Sequence, residues 1–154
     1  MKCKKIQKSI AQNYIYDIIN LTNIGKEVEN LKYIGKLDIE KIGEYKDIIT
    51  TTDVVLTNER KQHIYEEHTK DFDIIITNID KVVLNPSEVL KDLKNKDTIL
   101  MIDKLDESNL NVVVKLNTVD NKEHPKNSVM TAWLIRDKNL RKLRLKAETL
   151  YKKE

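Results

Sequence analysis

The sequence predicts an α+β domain in which N-terminal helices come first, a four-stranded antiparallel sheet follows, and a helix ends the chain. Apolar residues before Pro86 recur mostly at helical spacing. The runs after Pro86 are short, rich in β-branched residues and separated by polar turns. No helical stretch between those runs is long enough for a parallel crossover, so we expect neighbouring strands to pair antiparallel.

The length of 154 residues corresponds to one domain with a small appendage. We divide it into an N-terminal helical extension at residues 1–30 and a domain at residues 31–154. Cys3 is the only cysteine, so neither a disulfide nor a cysteine-rich metal site is expected. No apolar run approaches the roughly 20 residues that cross a bilayer, and the basic start lacks the apolar core of a secretory signal. We therefore expect a cytoplasmic protein with no membrane partner.

The first half of the chain is expected to alternate helices with extended segments. Residues 4–22 have apolar side chains at helical spacing and are interpreted as an amphipathic helix. A short strand or extended link is expected at residues 31–37, followed by a short helix that Asp38 caps. The Thr-rich stretch at residues 48–56 favours an extended conformation.

The segment at residues 58–68 is predicted to be a short helix that carries functional side chains. Thr57 is a good N-cap because its hydroxyl can accept a hydrogen bond from an unpaired N–H of the first turn. Arg60 and His63 share one helix face, and this defined platform predicts His63 as the more critical of the two histidines here. His68 is rotated by about 140° from His63, so the helix must end near His68 if both act together.

A further helix is expected from Asp71 to just before Pro86, because the residue before a proline is disfavoured in helical conformation. Four strands should follow, at residues 89–93, 98–102, 110–116 and 128–135. Apolar residues return to helical spacing after that, which predicts a final helix at residues 138–152.

Net charge is only +3, but it is unevenly distributed. Residues 1–12 carry +4, residues 136–154 carry +5, and the middle of the chain carries −6. Two basic ends suit a polyanion such as nucleic acid if they fold onto one side of the protein. The alternative is that the lysine-rich ends are solvated tails.

Four stretches carry a resemblance to a group of nucleases. In chain order they read V-V-L-T-N-E-R-K-Q-H-I-Y-E-E-H, N-P-S-E-V-L-K-D, V-V-V-K-L and N-S-V-M-T-A-W. Together they resemble the phage-associated branch of the barnase/EndoU/colicin/RelE-like (BECR) nuclease families over roughly residues 31–152. The resemblance implies the BECR fold and a metal-independent endoribonuclease that acts as a toxin or phage effector without a cofactor. The implied partners are RNA, with transfer and messenger RNA both open, and an antitoxin or immunity protein.

Cleaving RNA without a metal needs a base for the ribose 2′-hydroxyl, an acid for the leaving 5′-oxygen and cations for the phosphorane. Histidine suits both proton roles because its unperturbed pKa is close to neutrality. His63 and His68 are therefore the candidate proton carriers, with Arg60 and Lys115 as the cationic clamp. The product would end in a 2′,3′-cyclic phosphate.

The hydroxyl of Thr131 or Ser128 is expected to orient the scissile phosphate. Lys115 and Thr131 fall on consecutive predicted strands, so sheet pairing could bring them to one face. Residues expected to bind RNA are Ser128, Arg136, Arg141, Arg144, Tyr151 and Lys152.

Each candidate also has a purely structural interpretation. His63 can be a packed core histidine, His68 a helix C-cap, and Arg60 a partner of Glu66 or Glu67. A metal site is not expected, because two histidines five residues apart do not share a helix face and no H-E-x-x-H motif is present. For the whole chain, the alternative is a catalytically inactive, nuclease-like phage module that binds RNA or protein, as an inhibitor of host defence or a packaging accessory.

Overall fold

The computed structural model describes residues 31–121 and 125–154. The helix expected at residues 4–22, the extension at residues 1–30 and His124 lie outside the described residues. Among the described helices, none is long and apolar enough to cross a bilayer.

Seven strands and three α-helices make up the described part of the chain, which is an α+β fold with more strand than helix. In chain order they are β1 (Leu31–Lys36), β2 (Asp53–Thr57), α1 (Asn58–Glu67), α2 (Phe72–Leu84), β3 (Glu88–Asp92), β4 (Thr98–Lys104), β5 (Asn109–Lys115), β6 (Asn127–Ile135), α3 (Asp137–Leu145) and β7 (Ala147–Lys152). Short 3-10 helices lie at Ile39–Lys41, Gly43–Asp47 and Thr69–Asp71. The first of them is capped by Asp38, whose carboxylate accepts a hydrogen bond from the N–H of Glu40 (3.0 Å).

All seven strands belong to one sheet, in the order β1-β2-β6-β5-β4-β3-β7. Strands β3 to β6 form an antiparallel meander at its centre. On one side β2 pairs parallel with β6 and antiparallel with β1, and on the other side β7 pairs antiparallel with β3. The sheet is therefore mixed.

The predicted four-stranded antiparallel sheet preceded by helices is wrong. The sheet has seven strands, one of its pairings is parallel, and β1 and β2 come before α1. The BECR-like fold that the resemblance implied was the same four-stranded arrangement, so that expectation is wrong as well. The prediction failed because β2 pairs with β6, and local periodicity carries no signal for a pairing between segments so distant in sequence.

The predicted helix at residues 138–152 is wrong in its second half, because α3 ends at Leu145 and β7 follows. Helical spacing was misleading here, since Leu140 and Leu150 pack against opposite faces of the sheet. Thr149, which is β-branched, and the aromatic Tyr151 favour a strand, and β7 covers an otherwise open edge of the sheet.

The main core lies between α2 and one face of the sheet, and Ile64 of α1 belongs to it. Helix α2 contributes Ile75, Ile79, Val82 and Val83, which recur every three to four residues and are fully buried. The sheet contributes apolar side chains from six strands: Ile34, Val54, Leu56, Val89, Ile99, Met101, Leu110, Val112, Val114, Val129 and Ala132. Burial of these side chains is the main stabilising contribution to the fold.

The opposite side of the sheet, here called the second face, carries Leu100, Ile102 and Val113. Leu140 of α3 packs against this smaller cluster and covers part of the face. Strands β4 and β5 bury apolar side chains on both faces, which explains why they read as nearly continuous apolar runs.

Candidate active site

Helix α1 begins where β2 ends and carries two of the predicted functional residues, and a third follows directly after it. The hydroxyl of Thr57 accepts a hydrogen bond from the N–H of Arg60 (3.2 Å), as expected of an N-cap. Ile64 is fully buried and fixes the rotation of the helix against the core. At the other end the N–H of His68 donates to the carbonyl of Ile64 (2.9 Å) and closes the last turn.

Arg60 and His63 lie on the flank of α1 next to Ile64, and both are half-buried. Arg60 forms no ion pair with any other described residue, so its suggested pairing with Glu66 or Glu67 is not made.

His68 stands just after α1, with non-helical backbone angles (φ −137°, ψ 49°). Its imidazole stacks on the indole of Trp133, with the ring centroids 6.4 Å apart and the planes 25° from parallel. His63 and His68 can act together only if the helix ends near His68, and α1 does end there. His68 is also the C-cap of α1, so the structural role and the candidate role coexist.

Lys115, Ser128 and Thr131 all lie on the second face. Lys115 is directly opposite Ser128, and Thr131 is opposite Val113. Directly opposite residues of paired strands point to the same side of a sheet, and Val113 belongs to the second-face cluster. Trp133 also packs against this cluster, so the stacked His68 stands at the same face.

Asp53 fixes the start of β2 at the junction with β6. Its carboxylate accepts hydrogen bonds from Lys126 Nζ (2.6 Å), Lys36 Nζ (2.9 Å) and Tyr33 Oη (3.0 Å). Burial raises the pKa of the Asp53 carboxyl, but these hydrogen bonds outweigh burial and lower the pKa to about 2.

Asn127, at the start of β6, is fully buried and ties three backbone segments together. Its amide nitrogen donates to the carbonyls of Thr51 (2.8 Å) and Asp53 (2.9 Å), and its oxygen accepts from the N–H of Asn117 (2.8 Å). These bonds position Ser128, the next residue in the strand.

The residues predicted to bind RNA near the C-terminus separate into two groups. Arg136, Arg141 and Lys152 are exposed. Arg144 instead donates to both carboxylate oxygens of the buried Glu88, at 2.7 and 2.8 Å, and its guanidinium is engaged there.

Tyr151, also predicted to bind RNA, has mainly structural contacts. It packs against the main core, and Lys41 Nζ lies 5.0 Å from its ring centroid. This geometry is that of a cation–π contact.

One residue of interest was missed in the sequence. Asn111 is fully buried on β5, and within the described part of the chain neither polar atom of its side chain has a hydrogen-bond partner. The available signal was a single amide inside the otherwise apolar run L-N-V-V-V.

Within residues 31–121 and 125–154, no group of three or more His, Cys, Asp or Glu side chains is placed to hold a metal ion. Comparisons of the chain with models of protein families, with curated proteins and with solved structures gave no match.

Proposed function

We propose that the chain is a metal-independent endoribonuclease of the phage-effector or toxin type that acts in the cytoplasm. The observation that supports this most directly is the position of His68, whose ring stacks on Trp133. The same sheet face bears Lys115, Ser128 and Thr131. A proton carrier, a cation and two hydroxyls on one face match the groups that phosphodiester cleavage needs.

In the proposed reaction a neutral imidazole takes the proton of the ribose 2′-hydroxyl while the 2′-oxygen attacks the adjacent phosphorus. The bond between phosphorus and the 5′-oxygen breaks, and a protonated imidazole gives its proton to that oxygen. The products are a 2′,3′-cyclic phosphate and a free 5′-hydroxyl. His63 and His68 divide the two proton transfers between them.

Lys115 stabilises the negative charge that grows on the non-bridging oxygens in the transition state. Ser128, directly opposite it, and Thr131 donate hydrogen bonds that orient the phosphate. Arg60, which has no ion pair with another described residue, serves the same phosphate from α1 and can bind it with two donors.

The exposed basic residues near the C-terminus would bind the RNA backbone away from the reacting phosphate. Arg136, Arg141 and Lys152 are all exposed. A cognate antitoxin or immunity protein is the protein partner that a toxin-type activity implies.

The test is incubation of the purified full chain with total RNA in EDTA, comparing wild type with His63→Ala and His68→Ala. His124→Ala is the matched control, because the third histidine has no assigned role. We expect wild type and the control to cut RNA, leaving cyclic phosphate ends, and each of the other two variants to lose about 10²–10⁴ in rate. Binding of RNA without any cleavage would instead support the inactive binding module.

A further inference from the structure

Three polar side chains are buried on the second face, and α3 contacts two of them. Glu88 of β3 and Asn109 and Asn111 of β5 are exposed by only 3%, 4% and 0%. Glu88 and Asn111 are both directly opposite Ile102, and Asn109 is opposite Ile135. Ile102 and Ile135 both belong to the second-face cluster. The surface under α3 is thus much more polar than the surface under α2.

Helix α3 supplies hydrogen-bond partners for two of the three. Arg144 binds both carboxylate oxygens of Glu88 near the end of the helix, at 2.7 and 2.8 Å. At its start, Asp137 accepts a hydrogen bond from the Asn109 amide (2.9 Å) and pairs with Lys104 (3.2 Å). Polar contacts at both ends therefore hold α3 on the sheet.

Asn111 receives no hydrogen-bond partner from α3 or from any other described residue. Its direct neighbours across the strands are Ile102 and Trp133. A buried amide without a partner is unfavourable and rare in native proteins, and a leucine of similar size would avoid the cost. A hydrogen-bond partner gained in another state of the molecule would explain why an asparagine stands at this position.

Helix α3 has the features of an element that can leave its site. It has nine residues, a length at which an isolated helix is barely stable. Leu140 is its only buried residue, and Leu145 at its end is 86% exposed. A strand of phosphates competes directly for Arg144, because guanidinium binds phosphate and carboxylate in the same two-donor geometry.

We propose that α3 is a displaceable cover, and that its release lets Asn111 hydrogen-bond the edge of an adenine base stacked on Trp133. The inference rests on the proposed function for its ligand, an RNA strand. An asparagine amide presents a donor beside an acceptor, which complements the amine and ring nitrogen of adenine. Trp133 lies directly across from Asn111, so one unstacked base can contact both side chains.

Base reading is tested by binding 2′-O-methyl oligoadenylate and oligocytidylate, which lack the free hydroxyl needed for cleavage. We expect wild type to bind oligoadenylate about tenfold more tightly. Asn111→Leu should lose that preference and keep its affinity for oligocytidylate. The control Asn139→Leu, at an exposed asparagine of α3, should keep the preference. Equal affinity of wild type for both oligonucleotides, or a preference that survives in Asn111→Leu, overturns the assignment.

Release of α3 is tested by amide hydrogen exchange with and without 2′-O-methyl oligoadenylate. We expect the amides of α3 to exchange faster when the oligonucleotide is bound, while those of α2 do not change. Arg144→Gln should speed exchange of α3 even in the free protein. Arg141→Gln, with the same loss of charge on the same helix, should not. Exchange of α3 that is unchanged on binding rules out the cover.

The two proposals fail in different ways. Cleavage of RNA by a protein with no adenine preference removes this inference and leaves the proposed function in place. Adenine preference that depends on Asn111, without any cleavage, removes the catalytic proposal alone. Failure to bind either oligonucleotide removes this inference, and failure to cut total RNA as well removes both.

Discussion

The two faces of the sheet are built differently. The face under α2 buries apolar side chains such as Ile79, Val112 and Met101, and Tyr151 is the predicted site residue that packs against it. The second face mixes apolar residues with Lys115, Ser128, Thr131 and a buried glutamate, and α3 covers only part of it. Buried polar groups reduce stability unless they are paired. Proteins accept such a cost mainly at functional sites, which favours the second face as the functional one.

Two buried asparagines show the same contrast at single residues. Asn127 makes three hydrogen bonds to backbone groups and holds the junction of β2 and β6. Asn111 is equally buried, and its side chain makes no hydrogen bond to the residues that the structure describes. The same side chain is therefore a structural link in one strand and an unpaired group in the next.

The largest expected effect is on catalysis at the second face. His68→Ala should lower the single-turnover rate of RNA cleavage by about 10²–10⁴, because a positioned proton carrier is lost. The midpoint of thermal unfolding should change little, since His68 is only half-buried. If cleavage persists near the wild-type rate, His68 is only a helix cap and the second face is not the reaction site.

A substitution in the main core should lower stability and leave the cleavage rate unchanged. Ile79→Ala removes a fully buried side chain of α2 and should reduce the free energy of unfolding by about 2–5 kcal/mol, measured by urea denaturation. The cleavage rate at low temperature, where the variant remains folded, should stay close to wild type. A variant that is stable but inactive would mean that the two faces are not separate in function.

The two buried asparagines should give stability changes of opposite sign when replaced by leucine. Asn127→Leu breaks three hydrogen bonds and leaves backbone groups unpaired, so we expect a loss of about 1–3 kcal/mol in the free energy of unfolding. Asn111→Leu removes an unpaired amide and should raise that free energy by up to about 1 kcal/mol. Urea denaturation of both variants decides the point, and a large loss in Asn111→Leu would reveal a hydrogen bond that the structure lacks.

Acid should weaken the junction at Asp53. The pKa of its carboxyl is about 2 in the folded protein, below the ordinary value of 3.8, so the ionised form stabilises the fold. This contribution, about 1–2 kcal/mol, is present above pH 4 and is lost as pH falls towards 2. Asp53→Asn should be less stable than wild type at pH 6 by about that amount, and the difference should shrink below pH 4. A constant difference across this range would show that the charge is not what stabilises the junction.

The smallest expected effect concerns the exposed basic residues. Arg141→Gln should weaken RNA binding uniformly across sequences and reduce the slope of log affinity against log salt by about 1. Lys94→Gln, an exposed lysine in the turn between β3 and β4, is the control with an equal change in charge. An identical slope in wild type and both variants would mean that the C-terminal cations are solvated and do not contact phosphate.

Local features of the fold could be predicted from the sequence because their causes are local. Thr57 caps α1 through a hydrogen bond to a residue three positions away, and Pro86 limits α2 through its own backbone geometry. The central strands are fixed by short β-branched runs. Their order in the chain also suggested that Lys115 and Thr131 could share a face, and the register places both on the second face.

The remaining features depend on contacts between distant segments. The parallel pairing of Val54 with Asn127, and the ion pair of Arg144 with Glu88, join residues that no local pattern relates. The stack of His68 on Trp133 has the same origin. The last strand was missed because its spacing fits a helix as well as a strand, and only the open edge of β3 decides between them.

The parallel ladder between β2 and β6 has a consequence for how the protein folds. It is a short ladder that joins residues near the start of the described chain to residues near its end. Pairings of such high sequence separation form slowly, so β6 is expected to remain an unpaired edge while the central meander is already in place. Its run V-M-T-A-W-L-I is the kind of segment that recruits other chains in that condition.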